Sequence, residues 1–136
     1  MKEIIRLFEL KNEYLDKFLS ITRTFIMELQ NGRLGDVELL RQNRENILDI
    51  IEHVDDRMGR LLESCSDLPD SEIEELRILA SSAIFMRDNY VTEILLADKE
   101  LFTLLDAEKA AISEELVSLR TLGNAFAGYG RIVQSS

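Results

Sequence analysis

Residues 36–64 read DVELLRQNRENILDIIEHVDDRMGRLLES. Within them Val37, Leu40, Arg44, Ile47, Ile51, Val54, Met58 and Leu61 fall at alternating three- and four-residue steps. That is the spacing of a heptad seam, apolar at every place but Arg44. No Pro interrupts the stretch, and its one Gly, Gly59, stands near the end. A helix so polar on its outer face needs apolar partners along its length, because propensity alone leaves it marginal in water.

The preceding residues supply one partner. A helix is predicted from about residue 2 to 30, with Ile4, Phe8, Leu15, Phe18, Phe25 and Leu29 marking an apolar stripe and Lys11 and Thr22 as its polar members. The stripe is wider than a two-stranded seam requires, as suits a bundle helix that touches two neighbours. Asn31 and Gly32 are natural left-handed C-cap residues, Gly35 is read as a second loose joint, and Asp36 is placed to cap the helix over 36–64. So short a connection makes the two helices antiparallel neighbours.

CSDLPD, at 65–70, is the clearest break in the chain. Pro69 holds Leu68 extended, and Ser71 with Glu74 has the spacing of a capping box. From 71 to 122 there is neither Gly nor Pro. Ile73, Leu76, Ala80, Ala83, Tyr90, Ile94, Leu101, Leu105, Ile112, Leu116 and Leu119 keep a period near 3.6. Read as one helix this segment is on the order of 78 Å long, against roughly 42 Å for each hairpin helix. The expected fold is therefore all-α: an antiparallel long-helix hairpin packed against a long third helix. A break near Asp88 would give a four-helix bundle instead; the absence of a turn signal there favours the unbroken form. Residues 123–136, GNAFAGYGRIVQSS, are read as a loose arm that docks through Phe126 and Tyr129.

Composition narrows the function. At 136 residues the chain is a single domain by size. Its net charge of -10 argues against nucleic acid or an anionic membrane surface as partner. The lone Cys65 allows no internal disulfide, and the charged start MKEIIRLFEL is neither a signal peptide nor a span, so a cytoplasmic location is expected. The charge is also uneven: residues 65–119 hold 13 acidic and 4 basic groups, whereas 120–136 hold two Arg and no acid.

Catalytic chemistry has little to work with. The one His, His53, stands beside Glu52, Asp55 and Asp56, but no Glu-x-x-His motif completes a bundle metal site. There is no Walker loop, GxGxxG or CxxC. No enzyme activity, metal or cofactor is expected. The surplus is apolar: Phe85, Met86, Val91, Leu95, Leu96, Phe102 and Leu104 fall beside or outside the third segment's seam. Such a surplus suits an incoming amphipathic helix, with Phe85, Met86, Tyr90, Ile94, Phe102 and Leu105 as candidate client-binding anchors. The alternative is a homodimeric scaffold or adaptor with no client.

Two stretches resemble the small helical export chaperones of the bacterial flagellum, of the FliT and FlgN type. These are FIMELQNGRLGDVELLRQNRENILDIIE at 25–52 and ILLADKELFTLLDAEKAAISEELVSLRTLGNAFAGYG at 94–130. Asp98 matches the family's acidic residue before the repeated apolar pairs, Lys109 its lysine before the last amphipathic run, and Tyr129 its closing aromatic. Arg44 stands where the family has a lysine, and the FliT-like side fits slightly better. The resemblance implies a cytoplasmic chaperone that binds the C-terminal helical segment of a late flagellar axial protein, either the filament cap or a hook–filament junction protein. It also implies delivery of that client to the export apparatus, and a C-terminal arm, here with Phe126 and Tyr129, that covers the binding surface in the free state.

Overall fold

The computed structural model describes the backbone of residues 2–135 and the side chains of 2–122. The heptad stretch is helix α2, Val37–Ser64, preceded by α1, Lys2–Gln30. A 3-10 turn, Cys65–Asp67, leads from α2 to α3, Asp70–Ser135. The chain divides into two units, Met1–Leu101 and Phe102–Ser136.

Both ends of the hairpin joint are capped by their own chemistry. Gly32 has φ +76°, a left-handed conformation that glycine adopts without steric cost. Its N–H donates to Leu29 O at 3.1 Å, and the Arg33 N–H donates to Glu28 O at 2.9 Å. Those two bonds make a Schellman motif and satisfy two of the carbonyls that a helix end leaves open. Across the loop, the Asp36 carboxylate accepts from the Leu39 N–H at 2.9 Å, as a helix N-cap does. Just inside α2, Arg41 donates to both Glu38 and Glu45, and its hydrogen bond holds the Glu38 carboxyl below the usual carboxylate range.

Gly35 is not the loose joint expected from sequence. A Cβ built there would lie 2.9 Å from Cε2 of Phe25, whose ring is buried. The loop is thus pressed against the end of α1. Gly35→Ala is expected to destabilise the fold by about 1–3 kcal/mol through overpacking, since a buried ring has little room to move. Gly59→Ala, where a Cβ meets nothing, should be neutral or slightly stabilising. Urea midpoints of the two variants would check the contrast.

In the first unit, α1 and α2 run antiparallel. Lys11 Nζ lies 2.8 Å from Asp55, and Arg57 bonds Glu3. The third helix runs parallel to α1 in nearly constant register. Asn12 reaches Ala83, Arg23 reaches Glu93, and Gln30 reaches Glu100, separations of 71, 70 and 70 residues. Large side chains of α1 (Ile4, Leu15, Phe18, Leu19, Phe25, Ile26) fill the core, with Leu40, Ile51, Val54 and Met58 from α2. The buried face of α3 there includes Ala80, Ala83 and Ala97 alongside Leu76 and Leu101. Small residues let α3 approach α1 closely enough for the Asn12 amide to reach a helix carbonyl. The architecture is an all-α three-helix bundle, the long hairpin packed against α3.

Two boundaries differ from the sequence reading. First, α3 begins at Asp70, and the Pro69 carbonyl accepts from Glu72 at 3.0 Å and Ile73 at 3.2 Å. Ser71 therefore sits inside the first turn, not at the cap of a capping box; Leu68 is extended as expected. Second, the helix continues through Gly123 to Ser135, over the stretch read as an arm. Isolated glycines cost about 1 kcal/mol each against alanine but leave the helical hydrogen bonds intact, and no proline follows. Asp88 starts no new helix: its carbonyl accepts from Thr92 Oγ1 within α3. Phe126 and Tyr129 lie outside the described side chains, and with them the covering role expected of the arm.

The second unit is the C-terminal part of α3. Its apolar side chains Phe102, Ile112, Leu116, Val117, Leu119 and Leu122 are exposed, and Leu105 is half-buried.

Candidate functional site

Because α1 and α3 are parallel and close, a groove runs along their seam in the first unit. A cavity of about 410 Å³ opens at its N-terminal end, lined by Ile5, Glu9, Asn12, Glu13 and Asp16 of α1 and by Leu79, Ser82, Ala83, Met86 and Tyr90 of α3. A second cavity of about 290 Å³ shares Asp16, Met86 and Tyr90 with it and reaches Leu19, Arg23, Asn89 and Glu93. There an ion pair crosses the seam, Arg23 Nη2 to Glu93 Oε2 at 2.6 Å. Gln30 donates to Glu100 at 2.9 Å farther along. The groove is thus open from Ile5 to Tyr90, and beyond it the two bridges flank a further cavity of about 360 Å³ whose lining includes Ile26, Met27, Leu96 and Ala97.

Its two edges differ in chemistry. Glu9, Glu13 and Asp16 follow one another at four- and three-residue steps along α1, which puts them on one face. None of the three is in an ion pair among the described residues. The α3 edge is apolar: Leu79 is exposed, and Met86 is 46% exposed. Asn12 is buried between them and donates from Nδ2 to Ala83 O at 2.9 Å. A carbonyl can only accept, so this bond fixes which end of the amide carries the nitrogen. Asn12 Oδ1 is then left buried without a hydrogen-bond partner. An unpaired buried acceptor costs roughly 1–3 kcal/mol.

Of the six anchors expected from sequence, the structure brings two together here, Met86 and Tyr90. Phe85 is 67% exposed and lines none of these cavities, since one residue turns the helix by about 100°. Ile94 is half-buried in the first unit, while Phe102 and Leu105 belong to the second. The contribution of α1 is not evident from its apolar stripe. Asn12 stands four residues after Phe8 and three before Leu15, a stripe position at which a polar residue marks either a buried partner or a site.

The other chemistry-bearing residues are elsewhere. His53 is on the exposed face of α2, with Nδ1 2.8 Å from Asp49 O. Cys65 is a half-buried free thiol at the start of the 3-10 turn. Among the described residues no three His, Cys, Asp or Glu side chains converge as a metal site, and no helix is long and apolar enough to cross a membrane.

Two of the residues that the sequence resemblance singled out, Arg44 and Asp98, meet each other. Arg44 Nη2 lies 2.9 Å from each of the two carboxylate oxygens of Asp98. Its Nη1 is 3.5 Å from Thr22 Oγ1, and the guanidinium sits 4.4 Å over the Phe18 ring. The polar interruption of the α2 seam is therefore a junction of all three helices.

Compared with protein-family models, curated proteins and solved structures, the chain matches none.

Proposed function

We propose that this protein is a non-catalytic binder of an amphipathic helical segment carried by another protein. The observation that supports this most is the α1–α3 groove, with an apolar edge of Leu79 and Met86 and a row of carboxylates that are in no ion pair among the described residues. An amphipathic helix laid there would bury its apolar face against α3 and set basic residues against Glu9, Glu13 and Asp16. The polarizable Met86 adapts to varied apolar anchors. Together with the resemblance of 25–52 and 94–130 to flagellar export chaperones, this makes the proposed client the C-terminal segment of a filament-cap or hook–filament junction protein.

The test is a calorimetric titration of the full chain with C-terminal helical segments of both kinds of flagellar protein. Saturable one-to-one binding that weakens with salt is expected for one of them. If neither binds at concentrations of about 100 μM, roughly -5.5 kcal/mol, the chaperone reading is wrong.

A further inference from the structure

The second unit carries an apolar seam of its own, independent of the groove. Phe102, Leu105, Lys109, Ile112, Leu116 and Leu119 stand at alternating three- and four-residue steps, which are the a and d positions of three consecutive heptads over 102–122. Five of the six are apolar. Phe102 is 57% exposed and Leu116 59% exposed, and Ile112 and Leu119 are exposed as well, so among the described residues most of the seam apart from the half-buried Leu105 has no apolar cover. A lone helix gains nothing from a heptad repeat, whereas two such helices bury each other's seam.

The charges beside the seam say what covers it. In this register Glu108 and Glu115 are g residues, and Asp106, Ser113 and Arg120 are e residues. In a parallel pair of copies each g residue faces the e residue five positions later on the other copy. That sets Glu115 against Arg120, twice by symmetry, and Glu108 against Ser113. No like charges meet across those flanks. In an antiparallel pair the g residues face each other, which brings Glu108 against Glu115 of the second copy, twice. Lys109 is the single polar a residue, a device that fixes register and strand number at some cost in affinity. Its stem can lie along the seam while its ammonium reaches past the edge toward Glu108 of the other copy, a route that a two-stranded seam leaves open.

We infer that the second unit is a self-association element: two copies of this chain pair through 102–122 as a parallel, in-register, two-stranded coiled coil. With three heptads and a lysine in the seam, the dimer is weak and forms in the micromolar range. It does not depend on the client reading, since it needs no client and uses none of the groove residues.

Sedimentation equilibrium of the full chain, from low micromolar to several hundred micromolar, reads this directly. The expected result is a reversible monomer–dimer equilibrium. Ile112→Glu should weaken it at least about 30-fold with helix content unchanged, and Lys109→Leu should tighten it at least about 10-fold. Orientation follows from a charge swap. Glu115→Arg should weaken a parallel dimer about 3- to 10-fold, and Arg120→Glu in the same chain should restore it. A chain that stays monomeric throughout overturns the inference. So does a dimer indifferent to Ile112→Glu. A dimer tightened by Glu115→Arg is antiparallel and overturns the stated arrangement. A monomer whose 102–122 amides become protected from exchange only when a client segment is added assigns the seam to the client instead.

Discussion

Asp98→Ala is expected to destabilise the bundle by about 2–4 kcal/mol, among the larger effects of any single polar substitution in this chain. The Arg44 side chain is 16% exposed and that of Asp98 23%, so most of their hydration is gone in the fold. Removing the carboxylate leaves a guanidinium between Phe18 and Thr22 without a counter-charge. The cation–π contact keeps part of the interaction, which places the expectation below the full loss of a deeply buried pair. Arg44→Ala should cost a similar amount for a different reason: it orphans Asp98 and opens a gap beside the Phe18 ring. Arg44→Lys keeps the charge but loses the planar stack on Phe18, and about 1 kcal/mol is expected. The decisive variant is the double one. Arg44→Met with Asp98→Leu should recover most or all of the stability, because an apolar pair fills the space without dehydrating charge. Urea denaturation followed by circular dichroism gives all four values. An Asp98→Ala midpoint within about 0.5 kcal/mol of the parent would mean that solvent screens the pair.

That junction also marks how far the sequence could be read. Arg44 stood out because it broke a seam that was otherwise apolar, and the break was visible in 36–64 alone. Its partner was not, since 54 residues separate it from Asp98 and no local rule relates them. The Schellman turn at Gly32 and the cap at Asp36 were legible for the opposite reason: both are made by groups within a few residues of one another. Gly35 looked like the same kind of joint, but its small size answers to the Phe25 ring, a contact made by the fold. On α3 the 3.6-residue period holds from Leu76 past Leu101, so the period could not say where the hairpin stops. The end of α1 says it, through Gln30 bound to Glu100. The start of α3 differs by a residue because Pro69 is itself the residue before the helix, its carbonyl accepting the first helical N–H groups, so that Ser71 falls inside the first turn. Within the candidate site, the α3 edge is partly legible in the sequence and the α1 edge is not. An apolar surplus announces itself in a sequence, whereas Glu9, Glu13 and Asp16 look like any solvated face until a parallel neighbour makes them one rim of a groove.

Met86→Glu is expected to reduce client affinity at least about 30-fold, roughly 2 kcal/mol or more, while the protein stays folded. Met86 lines both cavities and is nearly half exposed, so the substitution is tolerated by the bundle and felt by whatever fills the groove. A carboxylate there would be dehydrated by the client's apolar face with no cation designed to meet it, a cost that does not arise in the free protein. The neighbouring residue provides the control. Phe85 is the more exposed of the two and the larger apolar group, yet it lines neither cavity, so Phe85→Glu should leave client affinity within about twofold. The acidic rim predicts a separate signature. Glu9→Gln with Glu13→Gln should flatten the salt dependence of binding and slow association, with a smaller effect on dissociation. The contrast between adjacent residues is the part that a general stickiness of α3 cannot imitate. If Phe85→Glu abolished binding and Met86→Glu did not, the client would lie on the outer face of α3, and the groove beside α1 would have no role in holding it.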